Sequence, residues 1–185
     1  MSASRFNVPN AITLTRILLV PPFVIFLIRG HDAGALAIFA TAAISDFVDG
    51  FLARRLRQKT EIGRLLDPLA DKLLAGTAFI LLALRQMLPD WLTVIVISRE
   101  CVILAGMLLL NLLQVRVEVV PSRVGKWNTA LQLTTVCVAL LVGVLAPAPR
   151  PAWLAPAVAA LYLATATTTI ISGFQYLFRG LRLVR

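Results

Sequence analysis

Four aspartates stand in or beside apolar segments of this chain, where carboxylates are rare. Asp46 and Asp49 are three residues apart, and Asp67 and Asp71 are four apart. On a helix these spacings correspond to roughly 60° and roughly 40° of rotation, so each pair shares one face. Two helices joined by a short connection can place the pairs opposite each other, and four converging carboxylates repel unless cations neutralise them. Oxygen ligands favour hard ions, so the pattern predicts a site for Mg²⁺ or Mn²⁺ rather than Zn²⁺.

Two other interpretations of these acids remain open on spacing alone. The acids can form ion pairs with neighbouring basic residues and merely hold helices together. The basic residues concerned are Arg54, Arg55, Arg64 and Lys72. The acids can also form the cation site of a transporter, which requires carboxylates near the middle of the bilayer and a route to both faces.

The helices that position these acids belong to a chain suited to lipid. Its 185 residues are 59% hydrophobic and 15% charged, and its mean hydropathy is +0.86. A soluble domain of this length cannot hide so much apolar surface, so we expect an all-α integral membrane protein with a single membrane domain over residues 1–185. Hydropathy predicts six transmembrane helices, at 11–28, 33–52, 69–87, 91–113, 125–145 and 152–178.

The basic residues cluster at one set of helix ends. One side carries Arg5, Arg16, Arg54, Arg55, Arg57, Lys59, Arg64, Arg116, Arg123, Lys126, Arg179, Arg182 and Arg185, whereas the other carries Arg29, Arg85 and Arg150. The excess of positive charge predicts that both termini and the second-to-third connection are cytoplasmic, with the acids at the cytoplasmic ends of the second and third helices. Because the net charge of +9 sits at membrane ends, we do not expect nucleic-acid binding.

The segment DFVDGFLARRLRQKTEIGRLLDPLADK, residues 46–72, adds small and basic residues at fixed offsets from the acids. It matches D-x2-D-G-x2-A-R-x8-G-x3-D-x3-D at every specified position. Gly50 and Ala53, each one turn after an acid, leave room for a nucleotide to approach the helix backbone. Arg54 can offer a planar fork to a diphosphate. A purely structural subunit does not explain these offsets, and a transporter does not explain acids clustered at one membrane edge.

This pattern is the signature of the CDP-alcohol phosphatidyltransferase family, which the chain resembles over essentially its full length. The N-terminal NVPNAITLTRILLVPPF is also similar to the family. The resemblance implies an enzyme of phospholipid biosynthesis that transfers a phosphatidyl group from CDP-diacylglycerol to a glycerol-type alcohol and releases CMP. It also implies two divalent ions, a homodimer, and a place in the bacterial inner membrane with the active site facing the cytoplasm.

The resemblance assigns roles by position. Asp46, Asp49 and Asp67 would hold a first ion, and Asp46 and Asp67 would bridge to a second that Asp71 completes. Asp71 would also be the catalytic base that removes the proton of the acceptor hydroxyl. The positions expected to contact CDP-diacylglycerol are Asn10, Thr13, Gly50, Ala53, Arg54 and Thr60. A helix cap and an ordinary polar residue are the alternative interpretation of the first two.

A second set of charged residues is expected to bind the acceptor alcohol. Arg99 lies deep in the fourth predicted helix and needs an anionic partner. We predict that this partner is a phosphate of the acceptor, held together with Lys126 and Arg123. Glu100 points about 100° away from Arg99 around a helix, so it need not be the partner. A structural ion pair between Arg99 and an aspartate of the third helix is the alternative.

Two branches of the family differ in the acceptor, which is sn-glycerol 3-phosphate in one and phosphatidylglycerol in the CMP-forming branch that makes cardiolipin. Met107 stands where the first branch usually carries a second Arg, and the run NTA at 128–130 resembles the second branch. Glu100 and the GK at 125–126 are closer to the first branch. We predict sn-glycerol 3-phosphate, because it is the commoner acceptor in proteins of this form.

Overall fold

The computed structural model describes the backbone of residues 8–56, 61–112, 123–145 and 151–184. Side chains are described for residues 15, 17–45, 72–106, 108, 124–145 and 151–178. The described chain is all-helical. Its six helices are α1 (Val8–Ile28), α2 (Asp32–Leu56), α3 (Glu61–Leu84), α4 (Asp90–Leu112), α5 (Arg123–Val144) and α6 (Leu154–Val184).

Each predicted apolar segment corresponds to one observed helix, but several helices extend beyond their apolar part. α3 begins at Glu61 rather than at residue 69, and α6 continues to Val184 rather than ending at residue 178. Hydropathy marks where side chains are apolar, whereas the hydrogen bonds of a helix continue through charged turns made of good helix formers. α2 likewise continues to Leu56, so both pairs of aspartates lie inside helices.

Two of the described helices are long and apolar enough to cross a membrane. Val124–Val144 has a mean hydropathy of 1.5, and Leu154–Phe178 has a mean hydropathy of 1.6. Buried residues make up 33% and 17% of these two apolar windows, so most of their side chains are not covered by protein. Trp127 and Trp153, near the starts of α5 and α6, are also exposed. Apolar surface of this extent is typical of a membrane-associated protein.

The hydrophobic core lies where α1, α2 and α3 pack together. Phe23, Phe39 and Phe79, one from each helix, are fully buried, and the ring centroids of Phe23 and Phe39 are 5.7 Å apart. Burial of each ring contributes about 1.5–3 kcal/mol. α5 packs against α2, α3 and α6, and α4 packs against α3 and α6. α5 therefore connects the two helices that carry the aspartates with α6.

Two tight turns close one end of this core. Gly30, with φ 76°, lies in the α1–α2 turn, and Gln86, with φ 57°, lies in the α3–α4 turn. Arg85 forms an ion pair with Asp32, the first residue of α2, and so ties the two turns together. The aspartates lie further along α2 and earlier in α3, away from this closed end. The packed turns thus hold the helices whose other ends carry the predicted chemistry.

Candidate active site

The four aspartates of the predicted metal site lie on α2 and α3. Asp46 and Asp49 belong to α2, whereas Asp67 and Asp71 belong to α3. Both helices pack against α1 and α5. The four side chains lie outside the described residues, so their convergence stays a prediction. Among the described residues, no group of three or more His, Cys, Asp or Glu side chains is placed to hold a metal ion.

The residues predicted to contact the CDP-lipid fall on the first two helices and the connection that follows. α1 carries Asn10 and Thr13, and α2 carries Gly50, Ala53 and Arg54. Their side chains lie outside the described residues, and Thr60 lies in the connection between α2 and α3, outside the described backbone. α1 and α2 pack against each other, so the two groups belong to adjacent helices.

Arg99 is the predicted site residue whose surroundings the structure describes best. Its side chain is 10% exposed on α4, and its Nη2 donates to Ser172 Oγ on α6 at 2.9 Å. The guanidinium carbon lies 5.5 Å above the centroid of the Tyr176 ring, also on α6. Gly173 lies against the Arg99 chain, since a Cβ there would be 3.5 Å from Arg99 Cγ. α6 therefore fixes the guanidinium from two sides, with the ring face contributing about 0.5–2 kcal/mol.

The structure gives Arg99 a protein anion that the helical spacing did not favour. Arg99 Nη1 donates to the Oε1 of Glu100, its neighbour in sequence. The two Cα–Cβ bonds diverge around the helix, but both side chains are long enough for their ends to meet beside α6. Helical spacing left this pair open, and the structure shows that it forms. The alternative pair between Arg99 and an aspartate of α3 involves side chains outside the described residues.

Glu100 also contacts a second cation and so links α4 to α3. Lys72 Nζ lies 3.0 Å from Glu100 Oε2, and the side chains of Lys72 and Glu100 are 21% and 16% exposed. The Lys72 ammonium and the Glu100 carboxylate form an ion pair, but their geometry does not meet the angles of a hydrogen bond. The three charged residues Lys72, Arg99 and Glu100 form a cluster, named here the Arg99 cluster. Lys72 directly follows Asp71 on α3, so this cluster adjoins a predicted metal ligand.

The charge of this cluster is not balanced. Arg99 and Lys72 are cations, and Glu100 is the single acid that the described residues place against them, which leaves one positive charge. Arg99 Nε is buried and has no hydrogen-bond partner among the described residues. A buried charged donor without a partner destabilises the protein. A hydrogen bond to such a charged group contributes about 1.5–3 kcal/mol. The cluster can therefore accept one more anion at the Nε edge of the guanidinium.

A buried polar seam joins α5 to α6 next to this cluster. It consists of Asn128, Gln132 and Thr135 on α5 and Thr165, Thr168, Thr169 and Ser172 on α6. The Thr135 and Thr165 hydroxyls are 2.8 Å apart. Asn128 Oδ1 accepts from Thr169 Oγ1 at 2.7 Å and from Thr168 Oγ1 at 3.2 Å. In lipid the hydrophobic effect does not hold helices together, so interhelical hydrogen bonds of this kind contribute to their association.

The seam was not predicted from the sequence, although its polar residues follow a regular spacing. Polar residues recur at positions 128, 132 and 135 of α5 and at 165, 169 and 172 of α6. This is the i, i+4, i+7 spacing of one helix face. Within long apolar helices, a polar stripe of this kind indicates a face turned toward protein rather than lipid.

Lys126 and Arg123, the other predicted acceptor residues, lie in the first turn of α5. The Lys126 side chain is exposed, and that of Arg123 lies outside the described residues. Lys126 precedes the buried Asn128 by two residues, which places it roughly 200° away around the helix. The described contacts do not join Lys126 to Arg99, so the structure places one of the three predicted acceptor residues in the buried cluster.

Comparison with known proteins agrees with the signature in α2 and α3. The model of the CDP-alcohol phosphatidyltransferase family matches residues 6–171. A probable phosphatidylglycerophosphate synthase of Mycobacterium tuberculosis is 38% identical over 182 residues, which cover 95% of this chain and 82% of that protein. The CDP-diacylglycerol–glycerol-3-phosphate 3-phosphatidyltransferase of Escherichia coli is 36% identical over 180 residues, which cover 94% of each chain.

A more distant relative is named for the synthesis of cardiolipin. This protein is a cardiolipin synthase (CMP-forming)/mitochondrial hydrolase fusion protein of Schizosaccharomyces pombe. It is 32% identical over 187 residues, which cover 92% of this chain and 30% of that protein. The similarity to the two bacterial proteins is higher and spans most of their length.

Proposed function

Because the chain belongs to the CDP-alcohol phosphatidyltransferase family, we propose that it transfers the phosphatidyl group of CDP-diacylglycerol to sn-glycerol 3-phosphate and releases CMP. The observation that supports the choice of acceptor is the Arg99 cluster, whose described residues carry one excess positive charge and an Arg99 Nε without a hydrogen-bond partner. A phosphate monoester would neutralise the excess positive charge and would accept a hydrogen bond from Arg99 Nε, because it is an anion with several acceptor oxygens. The similarity to relatives named for glycerol 3-phosphate supports the same acceptor.

The helix α3 would bring the acceptor and the reacting phosphorus together. Lys72, in the Arg99 cluster, directly follows Asp71. A phosphate held at Arg99 would therefore keep the acceptor hydroxyl near Asp71, the proposed base. Asp71 would take the hydroxyl proton while the oxygen forms a bond to the phosphatidyl phosphorus. The bond from that phosphorus to the CMP oxygen would break in line with the attack.

The four aspartates provide an all-oxygen donor set on two helices, which fits hard divalent ions. Asp46, Asp49 and Asp67 would hold one Mg²⁺ or Mn²⁺, and Asp46, Asp67 and Asp71 a second. When bound, such ions neutralise charge on the diphosphate and on the departing CMP. The nucleotide end of CDP-diacylglycerol would lie along Gly50, Ala53 and Arg54, where small side chains leave the α2 backbone open, and would reach Asn10, Thr13 and Thr60.

The placement in the membrane forms part of the proposal. All six helices would span the bilayer of the bacterial inner membrane as one domain, with both termini and the active site on the cytoplasmic side. The concentration of Lys and Arg at one set of helix ends supports this orientation. A water-soluble acceptor would then reach the site from the cytoplasm, and Lys126 and Arg123 at the start of α5 would attract it. The protein would act as a homodimer.

CMP release by the purified protein tests the reaction. The protein in detergent is supplied with Mn²⁺ or Mg²⁺, CDP-diacylglycerol, and either glycerol 3-phosphate or phosphatidylglycerol. We expect CMP and phosphatidylglycerophosphate with the first acceptor. Activity with phosphatidylglycerol alone would replace the proposed acceptor, and no CMP with either would refute the reaction.

Arg99→Ala tests the acceptor site. The variant loses the buried phosphate donor, so KM for glycerol 3-phosphate should rise about 10- to 150-fold, the equivalent of roughly 1.5–3 kcal/mol for a bond to a charged group. The matched control is Arg29→Ala, which removes an exposed Arg from the opposite end of the bundle. Arg29→Ala should retain the KM of the unmodified protein. An unchanged KM in Arg99→Ala would remove Arg99 from the acceptor site.

A further inference from the structure

Ser172 has a hydroxyl proton for which the fold provides no acceptor. The residue is fully buried on α6, and its Oγ accepts a hydrogen bond from Arg99 Nη2 at 2.9 Å. Among the described residues, no group accepts a hydrogen bond from this hydroxyl. A serine hydroxyl can donate one hydrogen bond as well as accept. Ser172 therefore keeps an unused donor in direct contact with Arg99.

The threonine hydroxyls of the same helix are bonded differently. Each donates to the carbonyl oxygen four residues earlier, at 2.7–2.9 Å, and the four residues are Thr165, Thr167, Thr168 and Thr169. This is the usual local bond of a hydroxyl inside a helix. The described structure has no such bond from Ser172, whose Oγ meets α4 instead. A buried donor that its own helix does not satisfy requires another explanation, and binding of a ligand is one.

A second unused donor belongs to the same hydrogen-bonded group. Arg99 Nη1 donates to Glu100, Nη2 donates to Ser172, and the Tyr176 ring lies below the guanidinium. Nε is buried and has no partner among the described residues. The Nε–H and the Ser172 O–H are thus attached to, or bonded to, one guanidinium group. Two donors this close can serve a single ligand that has several acceptor oxygens.

The surroundings of the two donors favour an anion. The described part of the Arg99 cluster carries one excess positive charge. The cluster is also not sealed, because the Lys72 and Glu100 side chains are 21% and 16% exposed. A small anion can therefore reach the cluster and accept from both donors.

We propose that Ser172 is a further acceptor-binding residue, which donates its hydroxyl proton to the phosphate of the acceptor beside Arg99 Nε. This inference rests on the proposed function and extends the acceptor site to α6. Arg99 Nη2 continues to donate to Ser172 Oγ when the phosphate is bound. That donation polarises the hydroxyl and strengthens the bond from its proton to the anion.

Ser172→Ala tests the proposal, because it removes the hydroxyl and leaves the Cβ in place. KM for glycerol 3-phosphate should rise about 10-fold or more, as expected for the loss of a hydrogen bond to a charged group. KM for CDP-diacylglycerol should stay the same, since the residues proposed to bind that lipid lie on α1, on α2 and in the connection that follows.

Thr165→Val is the matched control. Thr165 is also fully buried on α6, seven residues before Ser172, and its hydroxyl meets Thr135 of α5. Each variant loses one buried hydroxyl that joins two helices, so Tm should fall in both. Only Ser172→Ala should raise KM for glycerol 3-phosphate. Ser172→Cys, whose thiol is a weaker donor, is a second variant should Ser172→Ala fail to fold, and it should also raise this KM.

A double variant distinguishes a direct contact from an effect on Arg99. If Ser172 donates to the phosphate, adding Ser172→Ala to Arg99→Ala should lower kcat/KM for glycerol 3-phosphate further. If Ser172 merely holds the guanidinium in place, Ser172→Ala should have no effect once Arg99 is absent.

Three results would overturn the inference. The first is an unchanged KM for glycerol 3-phosphate in the Ser172 variants. The second is an equal rise of this KM in Thr165→Val, which identifies a packing effect. The third is a double variant no worse than Arg99→Ala alone. All three leave the proposed function intact, because the unmodified protein still releases CMP with glycerol 3-phosphate. No CMP from the unmodified protein would instead refute the proposed function, and this inference with it.

Discussion

Replacement of Glu100 by Gln would remove the acid that holds two cations together. Lys72 Nζ lies 3.0 Å from one carboxylate oxygen, and Arg99 donates to the other. All three side chains are less than a quarter exposed, at 21%, 10% and 16% for Lys72, Arg99 and Glu100. Loss of one member of a buried pair costs about 3–5 kcal/mol, and partial exposure here reduces the value to about 3 kcal/mol.

The size of the expected effect follows from the chain length. For a protein of 150–250 residues, 1 kcal/mol corresponds to about 2–4 °C in Tm, so Glu100→Gln should lower Tm by about 6–12 °C. The cations left behind still attract an anion. Glycerol 3-phosphate should therefore raise Tm more in the variant than in the unmodified protein, because the phosphate takes over part of the role of the missing carboxylate.

Thermal unfolding in detergent, with and without glycerol 3-phosphate, measures both quantities. Asp90→Asn is the matched control, since it removes an exposed acid from the first turn of the same helix and should cost less than about 1 kcal/mol. Glu100→Gln with the Tm of the unmodified protein would show that the cluster does not stabilise the fold. A destabilised variant that gains no more from glycerol 3-phosphate than the unmodified protein would refute an anion site at Arg99.

Three further predictions follow from the helices around this cluster. Asp71→Asn should abolish CMP release while CDP-diacylglycerol still binds, as measured by equilibrium binding of the labelled lipid; normal turnover would exclude Asp71 as the base. Chelation with EDTA should stop the reaction, and Mg²⁺ or Mn²⁺ should restore it; full activity in EDTA would contradict the proposed metal requirement. Gly34→Ala should lower Tm, because the new Cβ would overlap the Phe26 ring, and the expected cost is about 1–3 kcal/mol. Gly106→Ala is the matched control, since nothing lies within 4 Å of the new Cβ. This control should be neutral or stabilising by up to about 1 kcal/mol. Equal stability of these two glycine variants would contradict the packing of α1 against α2.

Much of the fold followed from local patterns. Long apolar segments separated by Gly and Pro predicted the six helices, because hydropathy and chain breakers act over a few residues. The early start of α3 at Glu61 was missed, since a helix does not end where its apolar residues end. Membrane association agrees with the exposed apolar surface of α5 and α6, and the six spans and their orientation remain predictions.

The candidate site was also predicted only in part from the sequence. The spacing of Asp46, Asp49, Asp67 and Asp71 and the residues between them predicted the family, which the comparisons confirmed. Helical periodicity converts such spacing into shared faces, which predicted a metal site, and the resemblance of the whole segment to the family predicted the class of reaction. The metal ligands and the catalytic base remain predictions, because their side chains lie outside the described residues.

The tertiary structure alone decided the surroundings of Arg99. Its side chain meets Glu100 beside it, Lys72 is added from α3, and Ser172 and Tyr176 come from α6. Ser172 is 73 positions away along the chain, and no local period specifies which helices cross or at what depth. The same crossing buried Asn128 and Gln132 together on one face of α5. Groups from several helices must meet within about 3 Å to hydrogen-bond one small molecule, so local periodicity does not specify such a site.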